Sequence, residues 1–459
     1  MRPRVALVTL TETRPDFRAR RESLVAEEMA AVRWLSDQAD VWESGPVASG
    51  RELRALAREI LAFGADALVV HIPIWTEPVL TVKLTGLLPL PVLLLGNDRP
   101  ETSSTVGMLG AGGALDQVGR PHERVLGHTT AEARRRVMAF LRAAAVRGAL
   151  RGQTLGMFGG RSLGILTATA DPAQWHRLFG VDIEHVDQMA IVERARALDQ
   201  SEVAGASSWF TGRLGQVEYG GSFTAEALDR QVRSYLATRA VVAEKGFDFV
   251  AVKCQPELTD GYASQCVAHT LMNGTVDAGG EKALVVHACE ADADGALTMQ
   301  ILHLLSGGRS AALLDVRLYD AGTGLWTMAN CGAIPAAFTA TAEDPTGLSG
   351  LHMQPHVFGK GGGGALPGVV QPQVVTLARL CRKQGEYWLA IVSGLVQQGD
   401  RSDLARTTAA FPHAFIKTAA GAEFLGEFGS NHIHMVAGDV VQELTAFCRI
   451  LGIPWRYWA

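Results

Sequence analysis

Apolar and polar positions follow two rhythms in the first third of the chain. Residues 5–10, 67–72 and 92–95 are continuous apolar runs, the pattern of strands buried on both faces. Between them, residues 23–38 place Leu24, Met29, Val32 and Leu35 at helical spacing, and residues 51–63 do the same with Leu53, Leu56, Ile60 and Leu61. Strands alternating with helices predict a parallel sheet covered on both faces. Residues 129–151 form a further long helix, capped by Thr129 or Thr130 and closed by Gly152. It sets the end of an N-terminal α/β domain, residues 1–150.

The same alternation begins again at residue 154. Strands are predicted over 182–186, 248–252 and 284–286, and helices over 225–245, 263–272 and 295–305. These make a second α/β domain, residues 151–308. Its glycine-rich run 156–164 lacks the G-x-G-x-x-G order and an acidic ribose partner. It predicts a tight strand–helix crossing rather than a nucleotide loop. After Asp315 the pattern changes to short β-like runs at 374–380, 387–392 and 414–417, separated by turn signals. A glycine-rich run at 359–364, containing Lys360, predicts a mobile loop able to fold over a small molecule. A helix over 440–451 ends the pattern. The fold class is therefore α/β: two Rossmann-like parallel-sheet domains, then a β-rich, barrel-like C-terminal domain, residues 309–459.

Composition narrows the function. The 459 residues are 47% apolar and 19% charged, enough to bury large cores, and the net charge of −5 argues against a nucleic-acid surface. The longest apolar stretch, 84–96, carries Pro89 and Pro91 and is too short to span a bilayer. Residues 5–10 are too short for the core of a signal peptide. The six cysteines form no CxxC pair and predict buried, reduced thiols. A cytoplasmic enzyme of a small molecule, with no nucleic-acid or membrane partner, is the expectation.

The candidate chemistry lies at the ends of apolar runs, where α/β folds place reacting groups. Glu290, Asp292 and Asp294 alternate after the run ending at Val286, and on an extended segment they share one side. Capping of the following helix is the competing role for Asp292 and Asp294. Asp315 ends the run 311–314, and either a bridge to Arg317 or a shared site with it is open. His432 and His434 also share a side, and spacing alone does not choose between them. Two carboxylates and an imidazole suit a hard divalent cation with open positions. Adjacent oxygens of a 1,2-hydroxycarbonyl would fill those positions. A neighbouring carboxylate then moves a proton between C2 and C1, which is aldose–ketose isomerisation through an enediol. Arg14, Trp75, Gln255 and Glu257 end or follow other strands and are placed to hold sugar hydroxyls.

Several ordered motifs resemble the L-fucose isomerase family, within the superfamily that includes L-arabinose isomerase. They are Thr13-Arg14-Pro15, Arg20-Arg21-Glu22-Ser23-Leu24, Pro73-Ile74-Trp75, Gly159-Gly160-Arg161-Ser162, Gln255 with Leu258-Thr259-Asp260, Ala288-Cys289-Glu290, Asp315-Val316-Arg317 and Asn431-His432. The resemblance implies Mn²⁺, with Mg²⁺ or Co²⁺ as alternatives, held by Glu290, Asp315 and His432. It implies Glu290 and Asp315 as the acid/base pair across a cis-enediol. Arg14, Trp75, Gln255 and Asn431 become substrate contacts, with Arg18, Arg20, Glu257, Lys360 and His434 as further candidates. It also implies a homo-oligomer, trimeric or hexameric, with sites near subunit interfaces. The implied substrate is a free aldose like L-fucose or D-arabinose. Departures from the family add Lys253, His287 and Lys360 near the site and leave open an anionic, for example sulfonated, sugar. A sugar-binding regulator without turnover is the non-enzymatic alternative.

Overall fold

A computed structural model describes residues 1–458, apart from the side chain of Arg406. The chain forms two compact units, one of residues 1–150 with 442–453 and one of residues 151–441 with 454–459. No helix among the described residues is long and apolar enough to cross a membrane.

The first unit is a five-stranded parallel sheet. Its elements are β1 (Arg4–Thr9), α1 (Pro15–Ala19), α2 (Glu22–Ala31), β2 (Asp40–Glu43), α3 (Leu53–Phe63), β3 (Ala67–Ile72), α4 (Pro78–Gly86), β4 (Val92–Gly96), α5 (Ser104–Gln117), β5 (His122–Leu126) and α6 (Ala131–Leu150). The strand order β2-β1-β3-β4-β5 reverses direction at β1, a switch point of the kind at which open α/β sheets bind ligands. Period-two alternation sends Val5, Leu7, Val69 and Leu95 to one face, against Val137 and Leu141 of α6. It sends Ala6, Val8, Val70 and Leu94 to the other, against α3, α4 and α5. Thr130 caps α6 through Ala133 N at 3.1 Å. The helix predicted over 23–38 breaks into α2 and a single turn, Leu35–Gln38, because Val32 and Leu35 turn into the core where a straight helix would leave it.

The second unit joins a parallel sheet to a closed barrel. The sheet orders β9 (His287–Ala288), β8 (Phe249–Val252), β6 (Thr154–Phe158) and β7 (Asp182–Val186). Helices α7 (Pro172–Phe179), α8 (Ala225–Lys245), α9 (Cys266–Met272) and α10 (Ala293–Leu305) accompany it. The strand predicted over 284–286 is absent; pairing begins at His287. The run 156–164 is no tight crossing, since a loop and a short 3₁₀ turn separate β6 from α7. Six strands close the barrel: β10 (Ala311–Asp320), β11 (Leu325–Ala329), β12 (Val374–Lys383), β13 (Glu386–Val396), β14 (His413–Thr418) and β15 (His432–Ala437). Their order is β12-β15-β10-β11-β14-β13, and a β12–β13 pairing shuts the ring; β16 (Trp455–Trp458) adds to β13. Helix α10 is buried along most of its length and packs both on the parallel sheet and on barrel strands β10, β12 and β15. Its N-terminus therefore lies where sheet and barrel meet.

The glycine run 359–364 is a packed seam. Gly361 N donates to the Thr259 carbonyl at 2.8 Å and Gly364 N to Gln231 Oε1 at 2.8 Å. A Cβ on Gly363 would stand 2.7 Å from Ser264 Oγ, so glycine is there for close approach.

Candidate active site

The acidic segment does not run extended. Residues Cys289–Ala291 make a 3₁₀ turn in which Glu290 (φ 59°) and Ala291 (φ 50°) are both left-handed. Consecutive left-handed non-glycine residues are strained, and such strain concentrates at functional sites. The turn sends the three carboxylates to different tasks. Glu290 faces His432. Asp292 caps α10, its Oδ1 accepting from Gly295 N at 2.8 Å. Asp294 turns to the barrel, where it accepts from Tyr387 OH at 2.6 Å, Arg382 Nε at 3.0 Å and Trp175 Nε1 at 3.2 Å.

Strand register supplies the rest. Asp315 and His432 are direct partners on antiparallel β10 and β15, so their side chains share one face. His432 Nε2 lies 3.3 Å from Glu290 Oε2 and 3.5 Å from Asp315 Oδ1. Its Nδ1 lies 2.7 Å from Asp292 Oδ2. An ionised carboxylate only accepts, so Nδ1 carries a proton toward Asp292 and Nε2 is the ring nitrogen that faces Glu290 and Asp315. Arg379 Nη1 donates to Asp292 Oδ2 at 2.5 Å. Burial raises the Asp292 carboxyl, but Arg379 and His432 outweigh it and hold it well below the usual carboxylate range.

The donor set fits a divalent cation. His432 Nε2 is buried and makes no aligned hydrogen bond, although two carboxylates point at it. Burial disfavours the imidazolium, yet the Asp292 and Glu290 carboxylates beside it push His432 up to about 10. The carboxylates thus demand positive charge at Nε2. Burial foremost, with the Glu290 charge adding to it, raises the Asp315 carboxyl, which a cation would relieve. Glu290, Asp315 and His432 are the residues that would hold such an ion.

His434 lies deeper. It is fully buried, its Nε2 is 4.0 Å from Asp292 Oδ2, and burial pulls it well below its ordinary value. Asn431, exposed just before β15, hydrogen-bonds Asp315, and its Oδ1 accepts from Thr167 Oγ1 at 3.4 Å. Gln255 is half-buried, and its carbonyl accepts from Ser162 Oγ at 3.0 Å. Glu257 is exposed and paired with Lys253 at 2.5 Å; Lys360 is exposed on the glycine seam. His287 adds no cation, because full burial pulls it down to about 4. The Cys254, Cys266, Cys289 and Cys331 thiols are all raised by burial and stay protonated.

The first unit carries Arg14 and Trp75. Arg14 is held by Glu12 at 2.8 Å and lies over the Phe17 ring at 4.2 Å and the Trp75 ring at 5.3 Å. Arg18 is half-buried on α1, and Arg20 stands 6.0 Å from the Phe17 ring. These groups follow the C-terminal ends of β1 and β3 and make a cationic, aromatic patch.

Spacing did not single out Arg379, which is fully buried against Asp292 yet lies in an apolar strand run. Nor did it assign Asp292 the task of orienting His432, since the left-handed turn is invisible to periodicity.

Parallel α/β sheet, closed barrel and a carboxylate–imidazole centre at their junction define a multi-domain protein with a candidate cation site. Residues 328–459 match the family L-fucose isomerase, C-terminal domain, and the resemblance carried by the sequence motifs stands. The chain is 24% identical to a sulfoquinovose isomerase of Alkalicoccus urumqiensis over 310 residues, 65% of this chain and 63% of that protein. The matched length is thus less than two thirds of that relative. It is also 24% identical to a sulfoquinovose isomerase of Clostridium sp. (strain MSTE9) over 337 residues, 73% of this chain and 70% of that protein. A solved ABC transporter solute binding protein from Burkholderia multivorans aligns at 15% identity over 57% of this chain and 84% of its own. Its TM-score of 0.16 is too low to bear on the fold.

Proposed function

We propose that the protein is a metal-dependent aldose–ketose isomerase. The carrying observation is His432 Nε2, oriented by Asp292 and facing Glu290 at 3.3 Å and Asp315 at 3.5 Å. A divalent cation, Mn²⁺ first, supplies polarisation of the sugar carbonyl when bound. Glu290 and Asp315 move the protons. One carboxylate takes the C2 proton while the carbonyl O1 gains a proton, giving a cis-enediol. The proton is then delivered to C1 as the O2 hydroxyl loses its own, leaving the ketose. Asn431 steadies Asp315, and Gln255 is placed at a strand end to bind hydroxyls.

On substrate, the reading favoured here is a sulfonated aldose. It rests on the two relatives, both sulfoquinovose isomerases. His287 is neutral and Lys253 is paired with Glu257, so neither is a free cation for the sulfonate. A neutral aldose such as L-fucose or D-arabinose is the alternative, supported by the C-terminal family match.

The test is a panel of neutral and sulfonated aldoses assayed with Mn²⁺ and with chelator. Chelator-sensitive ketose formation is expected, fastest on a sulfonated sugar. Sugar binding without turnover across the panel would sink the enzymatic reading. Turnover of neutral sugars alone would overturn only the choice of substrate.

A further inference from the structure

A second buried donor cluster lies in the first unit. Glu28 of α2, His71 of β3 and His128, in the loop entering α6, each offer one ligand atom within 4.8 Å of the others, and all three side chains are buried. The imidazole rings stand 5.9 Å apart and nearly perpendicular. His71 Nδ1 meets Thr9 Oγ1 at 3.2 Å, while its Nε2 has no partner. His128 Nε2 lies 2.9 Å from Glu28 Oε2, while its Nδ1 has no partner. Glu28 Oε1 accepts from Arg99 Nη1 at 3.1 Å.

Two buried imidazoles, each with one nitrogen lacking a partner, gathered with a buried carboxylate within 4.8 Å, are costly unless something joins them. The Thr9 hydroxyl on Nδ1 fixes the ring and leaves Nε2 as the ligand, a partner often found behind metal-bound histidine. The cluster sits at the C-terminal ends of β1 and β3, beside the reversal in strand order.

We infer that Glu28, His71 and His128 form a second metal site, taking a borderline divalent cation such as Zn²⁺ with a fourth position left for water. Two imidazoles and one carboxylate suit zinc, whereas the carboxylate-rich Glu290–Asp315–His432 centre suits a harder ion. The three ligands come from a helix, a strand and a loop, so the ion would staple α2 and the start of α6 to the sheet. The segments leaving β1 and β3 carry Arg14 and Trp75, so the staple would also steady that patch. This site does not depend on the isomerase reading.

The experiment uses the full chain carrying Glu290→Gln and His432→Ala, which removes the other candidate centre. Zn²⁺ content is measured by elemental analysis as purified and after stripping and reloading, and Co²⁺ replaces Zn²⁺ for absorption spectra. One equivalent per chain is expected, with visible Co²⁺ bands but no thiolate charge-transfer band in the near ultraviolet. Adding His71→Asn should abolish binding. Should that variant fail to fold, the Co²⁺ spectrum of the parent still decides. A folded parent that takes up no stoichiometric Zn²⁺ or Co²⁺, a thiolate band, or undiminished binding in a folded His71→Asn variant would overturn the site.

Discussion

Four side chains divide the work at the candidate centre, and each division is testable. Glu290→Gln and Asp315→Asn keep shape and remove the proton-carrying group. Both should abolish ketose formation while circular dichroism and Tm stay near the parent. Near-parental turnover in either would refute the acid/base assignment. Asp292 acts through His432. Asp292→Asn removes the charge and leaves one acceptor oxygen for both the α10 cap and the His432 Nδ1 proton, so metal affinity should drop by about 10–100-fold, as for lost partners behind metal ligands. His432→Ala should weaken Mn²⁺ binding more than His434→Ala, measured by calorimetric titration. His434 faces Asp292 and the first turn of α10 rather than the carboxylate pair, so its loss should show mainly in stability. Equal loss of affinity would mean that both rings reach the ion.

At the scale of elements, the centre depends on α10 being fixed between sheet and barrel. Asp294 is the pin: it ties the helix to Arg382 and Tyr387 on the barrel and to Trp175 of α7. Trp175 is fully buried and stacks on Phe249 at 6.5 Å. Trp175→Phe removes the indole donor to Asp294 and Tyr387 and leaves a void. The expected cost is about 2–4 kcal/mol in denaturant unfolding, from a lost buried hydrogen bond plus a cavity. A change under about 0.5 kcal/mol, the range of neutral surface substitutions, would show that the pin is dispensable. Local order was legible wherever one period ran unbroken. Strand Asp182–Val186 and helix Ala225–Lys245 have the bounds their apolar spacing predicts, and the strands of the barrel region start where expected. What the chain pattern hid is non-local. Barrel closure needs β15 to insert between β12 and β10, far apart in sequence. The left-handed turn at Glu290–Ala291 breaks periodicity without a glycine to announce it. Glu290 and Asp315 were legible as candidates because they follow apolar runs, and His432 because it stands just before one. Arg379 and His71 sit inside such runs, Glu28 inside a helix and His128 in a loop, and only tertiary packing brings them to a partner.

Across the whole molecule, buried histidines set the response to acid. Burial pulls His287 and His356 each to about 4 and His71 to about 3, and takes His269 and His434 well below 6.5. In the unfolded chain each would protonate near 6.5. Between the two values the unfolded state binds more protons, so stability is fully present above about 6.5 and is lost as pH falls toward 4. Asp294 works the other way, because burial raises its carboxyl to about 6, so its folded state gains relative stability as pH falls through the same window. His303, His352 and His413 are pulled down as well, while Asp66, Asp315 and His432 are raised like Asp294, so eight lowered imidazoles face four groups that work the other way and the net direction is a loss with acid. Each imidazole contributes a slope of at most about 1.4 kcal/mol per pH unit. Urea unfolding at pH 7 and pH 5 should therefore show a marked loss at the lower pH. His356 belongs to neither candidate donor set, and its Nδ1 meets the backbone of Phe358 at 2.9 and 3.1 Å. His356→Asn should make the loss smaller by removing one group from the sum. A parent equally stable at both values, or a variant with an unchanged difference, would mean that these rings find water or protons in the folded state and that burial does not govern their charge.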